Sequence, residues 1–497
     1  MAVRVGWRTS VGEVGTVLKW LTLPLLVPLV LALYDGTTVV PFLVPLVLTG
    51  TAGFLLQQLR AGEEIGRREA FLIVSLVWLS VALVGALPFV IAGRGALGTP
   101  VNALFESMSG VTTTGATILV DFSVHSRAIL LWRQLLQWLG GLGILVLATA
   151  ILARLGVGGA QLMEGESQLQ DVHRLTPHIS ETARLIFSLY AALTALQILV
   201  FLGLNLAGVA PNMTPYNAVA HALTSVSTAG FSPEAESLGA FSAAVQWATI
   251  PFLILGATSF ILLYEVLQGE FEALKRSDEF HFYLFLLGVF TVSVLASLVA
   301  SSAFVLSEET VRHATFQVTS IITTTGYASV DFNTWPPFAR HILFGCMFFG
   351  GMAGSTTCSI KVIRWLVVLK GFRRDLEKSV RPELVRPVRV NGKVIDESTI
   401  SDVYSYTLVS LVFFALTAAV VAADSSRVGL ALSEFEAMSA AASIFFNIGP
   451  AFGLAGPYGS YEGFAATTKV MMTILMWVGR IEIVPVLVLL TPSFWKS

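Results

Sequence analysis

Apolar residues run along this chain in long blocks, separated by short polar stretches. Blocks long enough to cross a bilayer as helices, which takes about 20 residues, fall near 16–34, 39–59, 69–93, 128–155, 183–208, 241–268, 280–305, 338–369, 402–423 and 465–490. Four intervals between them behave differently: 100–117, 214–232, 308–328 and 433–452. Each is too short to span and ends in a motif built around one glycine. The motifs are Thr112-Thr113-Thr114-Gly115-Ala116, Ser227-Thr228-Ala229-Gly230-Phe231, Thr323-Thr324-Thr325-Gly326-Tyr327 and Asn447-Ile448-Gly449-Pro450-Ala451. The pattern predicts a re-entrant hairpin at each, entering as a half-helix and returning as extended chain. Non-helical backbone at that depth is tolerated only where it is buried in protein or lines a water-filled path.

After the first two blocks, the order span, half-helix, glycine motif, span occurs four times. The predicted fold class is an all-α integral membrane protein with four pseudo-symmetric helix–pore-loop–helix repeats around one pore, preceded by two extra helices. The repeats divide as 66–160, 161–270, 271–395 and 396–497 after an N-terminal segment, 1–65. Phe105-Glu106-Ser107-Met108 before the first motif resembles Phe435-Glu436-Ala437-Met438 before the fourth. The fourth copy lies about one turn further from its glycine, which predicts a longer half-helix there. Each following span carries another glycine: Gly140-Gly141, Gly256, Gly350-Gly351 and Gly479.

Composition agrees with a membrane class. Charged residues make up 12% and hydrophobic ones 55%, with a mean hydropathy of +0.77; about 25% charge is usual in soluble domains. The net charge of −2 says little, because the distribution of charge sets topology. Arg4, Arg8, Lys19, Arg60, Arg67, Arg68, Arg154, Arg174, Arg184, Lys275, Arg276 and the cluster from Lys370 to Lys393 fall on one side if the four hairpins enter from the other. Both termini are then cytoplasmic, and Arg127, Arg133 and Arg340 go against the count. The first run is read as a transmembrane helix; the competing reading, a signal peptide, lacks a small-residue cleavage site. Cys346 and Cys358 are read as reduced and structural, and the seven histidines show no metal-binding spacing.

A path for a dehydrated alkali cation needs oxygens turned toward one axis, in place of the ion's water shell. Successive carbonyls turn that way only with partly left-handed dihedrals, which glycine adopts at little cost. Threonine and serine hydroxyls add further oxygens, and half-helix C-termini pointing at the axis favour a cation. The expected cation filter is Thr113, Thr114, Gly115, Ser227, Thr228, Ala229, Gly230, Thr324, Thr325, Gly326, Asn447, Ile448 and Gly449. Asp121, Glu234 and Asp331 lie just beyond the motifs and are expected to strengthen cation preference. The competing reading, close helix packing through small residues, accounts for Gly140-Gly141 and Gly256 but not for four polar-tipped segments in one order.

These residues resemble a known family. Glu106 to Leu119, Trp132-Arg133-Gln134 and Gln137-Trp138-Leu139-Gly140-Gly141-Leu142-Gly143 resemble the first repeat of the Trk/Ktr/HKT potassium transporters. Ser225–Ser232, Thr323–Ala328 and Asn447-Ile448-Gly449-Pro450 with Phe452-Gly453 resemble the other three, and the two extra spans resemble the TrkH-type membrane subunit. The resemblance implies that Gly115, Gly230, Gly326 and Gly449 line the filter. A serine replaces the first glycine in sodium-preferring plant members, so Gly115 favours potassium.

Gly350, Gly351, Gly354, Ser355, Thr356 and Thr357 interrupt the 338–369 block, and such a density of glycine and hydroxyl residues should unravel a helix and face the pore. The resemblance implies an intramembrane gating loop there, with Arg480 set against it. The family pattern usually has glycines where Cys358 and Ser359 stand, which bears on how the loop moves. The competing readings are a kink filled by neighbouring helices and an arginine snorkelling to the cytoplasmic surface. Lys361 is read as an interfacial anchor. The resemblance also implies a homodimer and a cytosolic nucleotide-binding ring subunit of the TrkA type, for which 370–400 is a candidate contact; the same loop could instead lie near anionic lipid. The expected function is channel-like potassium uptake across the plasma membrane of a prokaryote (its inner membrane), with K+ as cargo, no organic cofactor, no catalysis and no nucleic-acid partner. The alternative is a Na+- or H+-coupled secondary cation transporter.

Overall fold

The computed structural model describes residues 5–60, 65–147, 179–302 and 304–495. Arg4, Arg154, Arg174, His173 and His178, together with the end of the fourth apolar run, lie outside the described residues. The fold is all-α, and among the described residues one two-residue antiparallel hairpin pairs Arg389–Val390 with Lys393–Val394. Seven described helices are long and apolar enough to cross a membrane, and two bent pairs bring the total to nine. The helices Trp7–Tyr34 and Val40–Gln57 lie against each other and against the first repeat. The four repeats then follow, each with a leading span, a half-helix, a glycine motif and a trailing span.

The half-helices are Pro100–Val111, Pro215–Val226, Glu308–Ile322 and Glu434–Phe445. Local chemistry starts each one. Pro100 and Pro215 occupy the first turn, where a missing N–H costs nothing. Ser307 accepts from the Thr310 N–H, and Ser433 and Glu436 form a capping box. All four helices stop four residues before their glycine. Three are 12 residues long and the third has 15, so the longest is the third and not the fourth. The Phe-Glu likeness is therefore one of sequence alone. Glu436 sits in its helix's first turn, whereas Glu106 is in mid-helix and fully buried.

The span glycines hold the half-helices in place by letting backbone approach backbone. A Cβ on Gly140 would meet the carbonyl of Val111, on Gly256 that of Val226 and on Gly479 that of Phe445. Those three residues end the first, second and fourth half-helices. The third repeat departs from this pattern, because Gly350 lies against Cys358 instead.

Among the described residues, three of the ten apolar runs are broken as helices. Ala243–Gly256 and Phe260–Leu267 meet at 102°, and Ala466–Arg480 and Val484–Leu490 at 112°. The 338–369 run is helical over Pro337–Cys346 and again from Val362 to Val380, with non-helical chain between. Part of the 370–400 stretch is thus helix, and the short hairpin follows it.

Gly140→Ala should lower the apparent melting temperature in detergent sharply, because the new methyl meets a main-chain oxygen. Gly288→Ala, at a helical position with open space around it, should leave that temperature unchanged or slightly raised. Equal melting temperatures for the two variants would contradict the packing described.

Candidate functional site: a ring of four glycine motifs

Each half-helix ends in the same turn. In the first, Thr113 N–H bonds to Gly110 O and Thr114 N–H to Ser109 O, the paired bonds of a Schellman cap. The matching pairs recur at Thr228 and Ala229, at Thr324 and Thr325, and at Asn447 and Ile448. The cap needs a left-handed residue two places before the glycine. Thr113, Thr228, Thr324 and Asn447 have φ of 52°, 49°, 51° and 55°. Gly115, Gly230, Gly326 and Gly449 follow at 78°, 79°, 80° and 108°. A threonine in that region is strained, so four repetitions mean that the surroundings impose one shape on four different sequences.

The four turns close into a ring. A Cβ on Gly115 would strike the Ala229 carbonyl oxygen, one on Gly230 that of Thr325, one on Gly326 that of Ile448, and one on Gly449 that of Thr114. Every glycine thus lies against the carbonyl of the residue preceding the next repeat's glycine, and the fourth returns to the first. Of the thirteen motif residues anticipated from sequence, eight make these ring contacts, Thr113, Thr228, Thr324 and Asn447 hold the left-handed positions of its turns, and Ser227 caps the second half-helix; the hydroxyl-bearing ones are buried. Asn447 Nδ2 joins the fourth turn to the first through Thr114 Oγ1 at 2.8 Å, and also reaches Met476 O at 2.9 Å.

Above the ring opens a cavity of about 330 Å³, lined by Gly115, Gly230, Gly326, Gly449, Glu234 and Glu462 among others. Asp121 and Asp331 do not line it. Their carboxylates accept from the backbone two residues on, at Ser123 and Asn333, and are spent on turns. The acidic lining that sequence reasoning expected thus keeps Glu234, loses the two aspartates and gains Glu462. Arg133 also lines this cavity, paired with the fully buried Glu106 at 2.7 Å. Glu106 in turn accepts from Thr117 Oγ1 and the Ile118 N–H, while Arg133 donates to Ser232 O. Together they tie the strands leaving the first two motifs.

On the other side of the ring lies the non-helical stretch of the third repeat. Cys358 N–H donates to Thr324 Oγ1, Thr356 Oγ1 shares a hydrogen bond with Thr228 Oγ1, and Cys358 Sγ is 3.9 Å from Thr113 Oγ1. The loop therefore touches the left-handed residues of three motifs. It also accounts for the bend after Gly256: Thr356 Oγ1 and N–H donate to Gly256 O, Met352 N–H to Ala257 O, and Phe260 N–H to Gly354 O. Ser359 stands at φ 61°. Arg480, 2% exposed, donates to Thr356 O at 2.9 Å, to Cys358 Sγ and to Gly140 O at 3.0 Å. It is not at the surface. Nor is Lys361 an interfacial anchor: it is buried and donates back to Thr357 O at 2.7 Å. Two carboxylates complete the surroundings. Glu279 accepts from the Ala353 and Ile363 N–H groups, and Glu482 pairs with Arg364 at 2.6 Å. Cys346 and Cys358 are free and buried, as expected.

A family profile described as a cation transport protein, TrkH, matches residues 42–497. The chain belongs to the TrkH family. It is 35% identical over 500 residues to the Trk system potassium uptake protein TrkH of Halomonas elongata, covering 97% of this chain and 98% of that protein. It is 34% identical over 496 residues to the protein of that name from Escherichia coli, covering 95% and 98%. The crystal structure of the potassium transporter TrkH from Vibrio parahaemolyticus superposes with a TM-score of 0.87 at 31% identity, covering 98% of this chain and 99% of that one.

For this TrkH-family chain, sequence reading missed Glu279, Glu482 as a partner of Arg364, and Glu462, and gave Lys361 the wrong role. For Lys361 and Glu482 the available signal was a charge inside an apolar run, where an ionisable side chain is costly unless paired; Glu279 and the exposed Glu462 lie just ahead of their runs and carried no such signal. Removing one partner of the Arg133–Glu106 pair strands a buried charge, which typically costs about 3–5 kcal/mol. Arg133→Met and Glu106→Gln should therefore each lower the yield of monodisperse protein, and the double variant should recover much of it. A double variant no better than either single one would contradict that accounting.

Proposed function

We propose that this chain carries K+ into the cell across the plasma membrane, through a filter built from the four motifs. The filter residues are Thr113–Gly115, Ser227–Gly230, Thr324–Gly326 and Asn447–Gly449. One observation carries the reading: the cyclic contact of each motif glycine with the carbonyl of the next repeat. Such a ring gathers main-chain oxygens at one axis, where they can replace the hydration shell of an alkali cation. Four half-helix C-termini four residues away add negative potential. The Glu234 and Glu462 side chains in the outer cavity attract cations from the bulk.

The loop from Gly350 to Ser359 is the gate in this reading. In the conformation described it is bonded to Thr228 and Thr324, and Arg480 is its latch. Opening requires those bonds and the Arg480 contacts with Thr356 and Cys358 to be exchanged. The carriers named as potassium uptake proteins in Halomonas elongata and Escherichia coli support potassium as the cargo. Transport rather than catalysis, channel-like movement, a homodimer, cytoplasmic termini and control by a cytosolic nucleotide-binding ring complete the proposal.

Ion-resolved flux in proteoliposomes tests it. Gly115→Ser and Gly326→Ser, which push a side chain against the Ala229 and Ile448 carbonyls, should lower rubidium-over-sodium selectivity while the protein still folds. Unchanged selectivity in both would count against the filter. Arg480→Ala should raise basal flux, and identical basal flux would remove Arg480 from the gate. Flux that demands a second ion would replace channel-like movement by coupled transport.

A further inference from the structure

The four motifs are alike in backbone, but their support is not. Gln137, on the trailing span of the first repeat, is fully buried and bonds the second motif on both sides of its glycine. Its Nε2 donates to Ala229 O at 2.6 Å and its Oε1 accepts from the Phe231 N–H at 2.9 Å. The amide's orientation is set by chemistry, because a backbone N–H can only donate and so fixes which end is the oxygen. The side chain thus pairs with the strand much as a backbone residue of a neighbouring strand would. Among the described residues no other side chain holds backbone groups on both sides of a motif glycine. Ser320 Oγ reaches only Tyr327 O, and Tyr461 OH only Gly449 O.

The remaining repeats carry apolar side chains at the matching place. Gln137 stands three residues before Gly140, and the same count back from Gly256, Gly350 and Gly479 gives Leu253, Met347 and Met476. All three are fully buried. The second motif is also the one whose residue before the glycine is alanine, where the others have Thr114, Thr325 and Ile448. Ala229 has the smallest side chain of the four and so the least packing of its own to hold its peptide, and its oxygen is the one that lies against Gly115.

We infer that Gln137 is a specificity-determining positioning residue, whose amide holds the Ala229-Gly230-Phe231 peptides so that the second quarter of the ring keeps its distance from the axis. An oxygen ring held open prefers a larger cation, whereas one free to close inward also accommodates a smaller one. Without the clamp the Ala229 carbonyl can swing inward and the discrimination against Na+ weakens. This inference rests on the filter reading proposed above.

The test is the ratio of rubidium to sodium uptake in proteoliposomes, a quantity that does not depend on how much protein is folded. Gln137→Leu removes both bonds. Gln137→Glu keeps the size and the acceptor for Phe231 but sets an oxygen against Ala229 O, so it remains informative if the leucine variant fails to fold. The ratio should fall in these variants by about three- to tenfold, the effect of one or two hydrogen bonds on an equilibrium. Gln134→Leu, one turn earlier and equally buried, should leave it unchanged. A wild-type ratio in every folded Gln137 variant, with a shifted one in Gly115→Ser, would overturn the inference and leave the filter standing. An equal shift in Gln134→Leu would overturn it too, and a wild-type ratio in Gly115→Ser as well would sink the filter reading itself.

Discussion

Each of the four glycines has a neighbouring carbonyl oxygen where its Cβ would have to stand. That steric constraint closes the ring, and much of the molecule serves it. Four half-helices deliver their C-termini to the same depth, and identical Schellman turns then aim the chain. In three repeats a second glycine, on the trailing span, lets the end of the half-helix lie against that span. Removing side chains at two levels gives backbone-to-backbone contact, which leaves little freedom for sideways movement.

The third repeat uses its span differently. The chain from Gly350 onward does not remain helical, and it donates hydrogen bonds to the carbonyls of Gly256 and Ala257, freed by the bend in the second repeat's span. Two interruptions that would each be costly alone in a membrane satisfy one another. A third interruption, after Arg480, has Glu482 and Ile483 at φ 65° and 56°, with Glu482 paired to Arg364 just beyond the loop. Strain in a β-branched residue persists only where the surroundings over-determine it. The loop, two bent spans and the Arg480, Arg364 and Lys361 side chains therefore form one connected unit beneath the ring.

Fourfold likeness in the backbone coexists with differences in the side chains behind it. The first and second motifs are tied by Arg133 and Glu106, the second is clamped by Gln137, and the fourth is joined to the first by Asn447. A single chain can give each quarter its own support, which a ring of four identical subunits cannot.

The sequence by itself determined the class, the fourfold order, the place of each re-entrant segment and the four glycines whose contacts close the ring. These follow from local physics: apolar length against bilayer thickness, and glycine where φ must be positive. It also located the interruption in the third repeat, because the polar density there is local. It did not show the bends at 257–259 and 481–483, which look like ordinary apolar helix and are stabilised by partners about 100 residues away or more. The shifted Phe-Glu likeness gave a wrong length for the fourth half-helix, since register depends on caps more than on resemblance. Asp121 and Asp331 were legible as acids but not as turn formers, and Lys361 was legible as a charge but not as a loop ligand. Which polar group meets which is set by the packing of spans far apart in the chain, and only the tertiary structure could decide it.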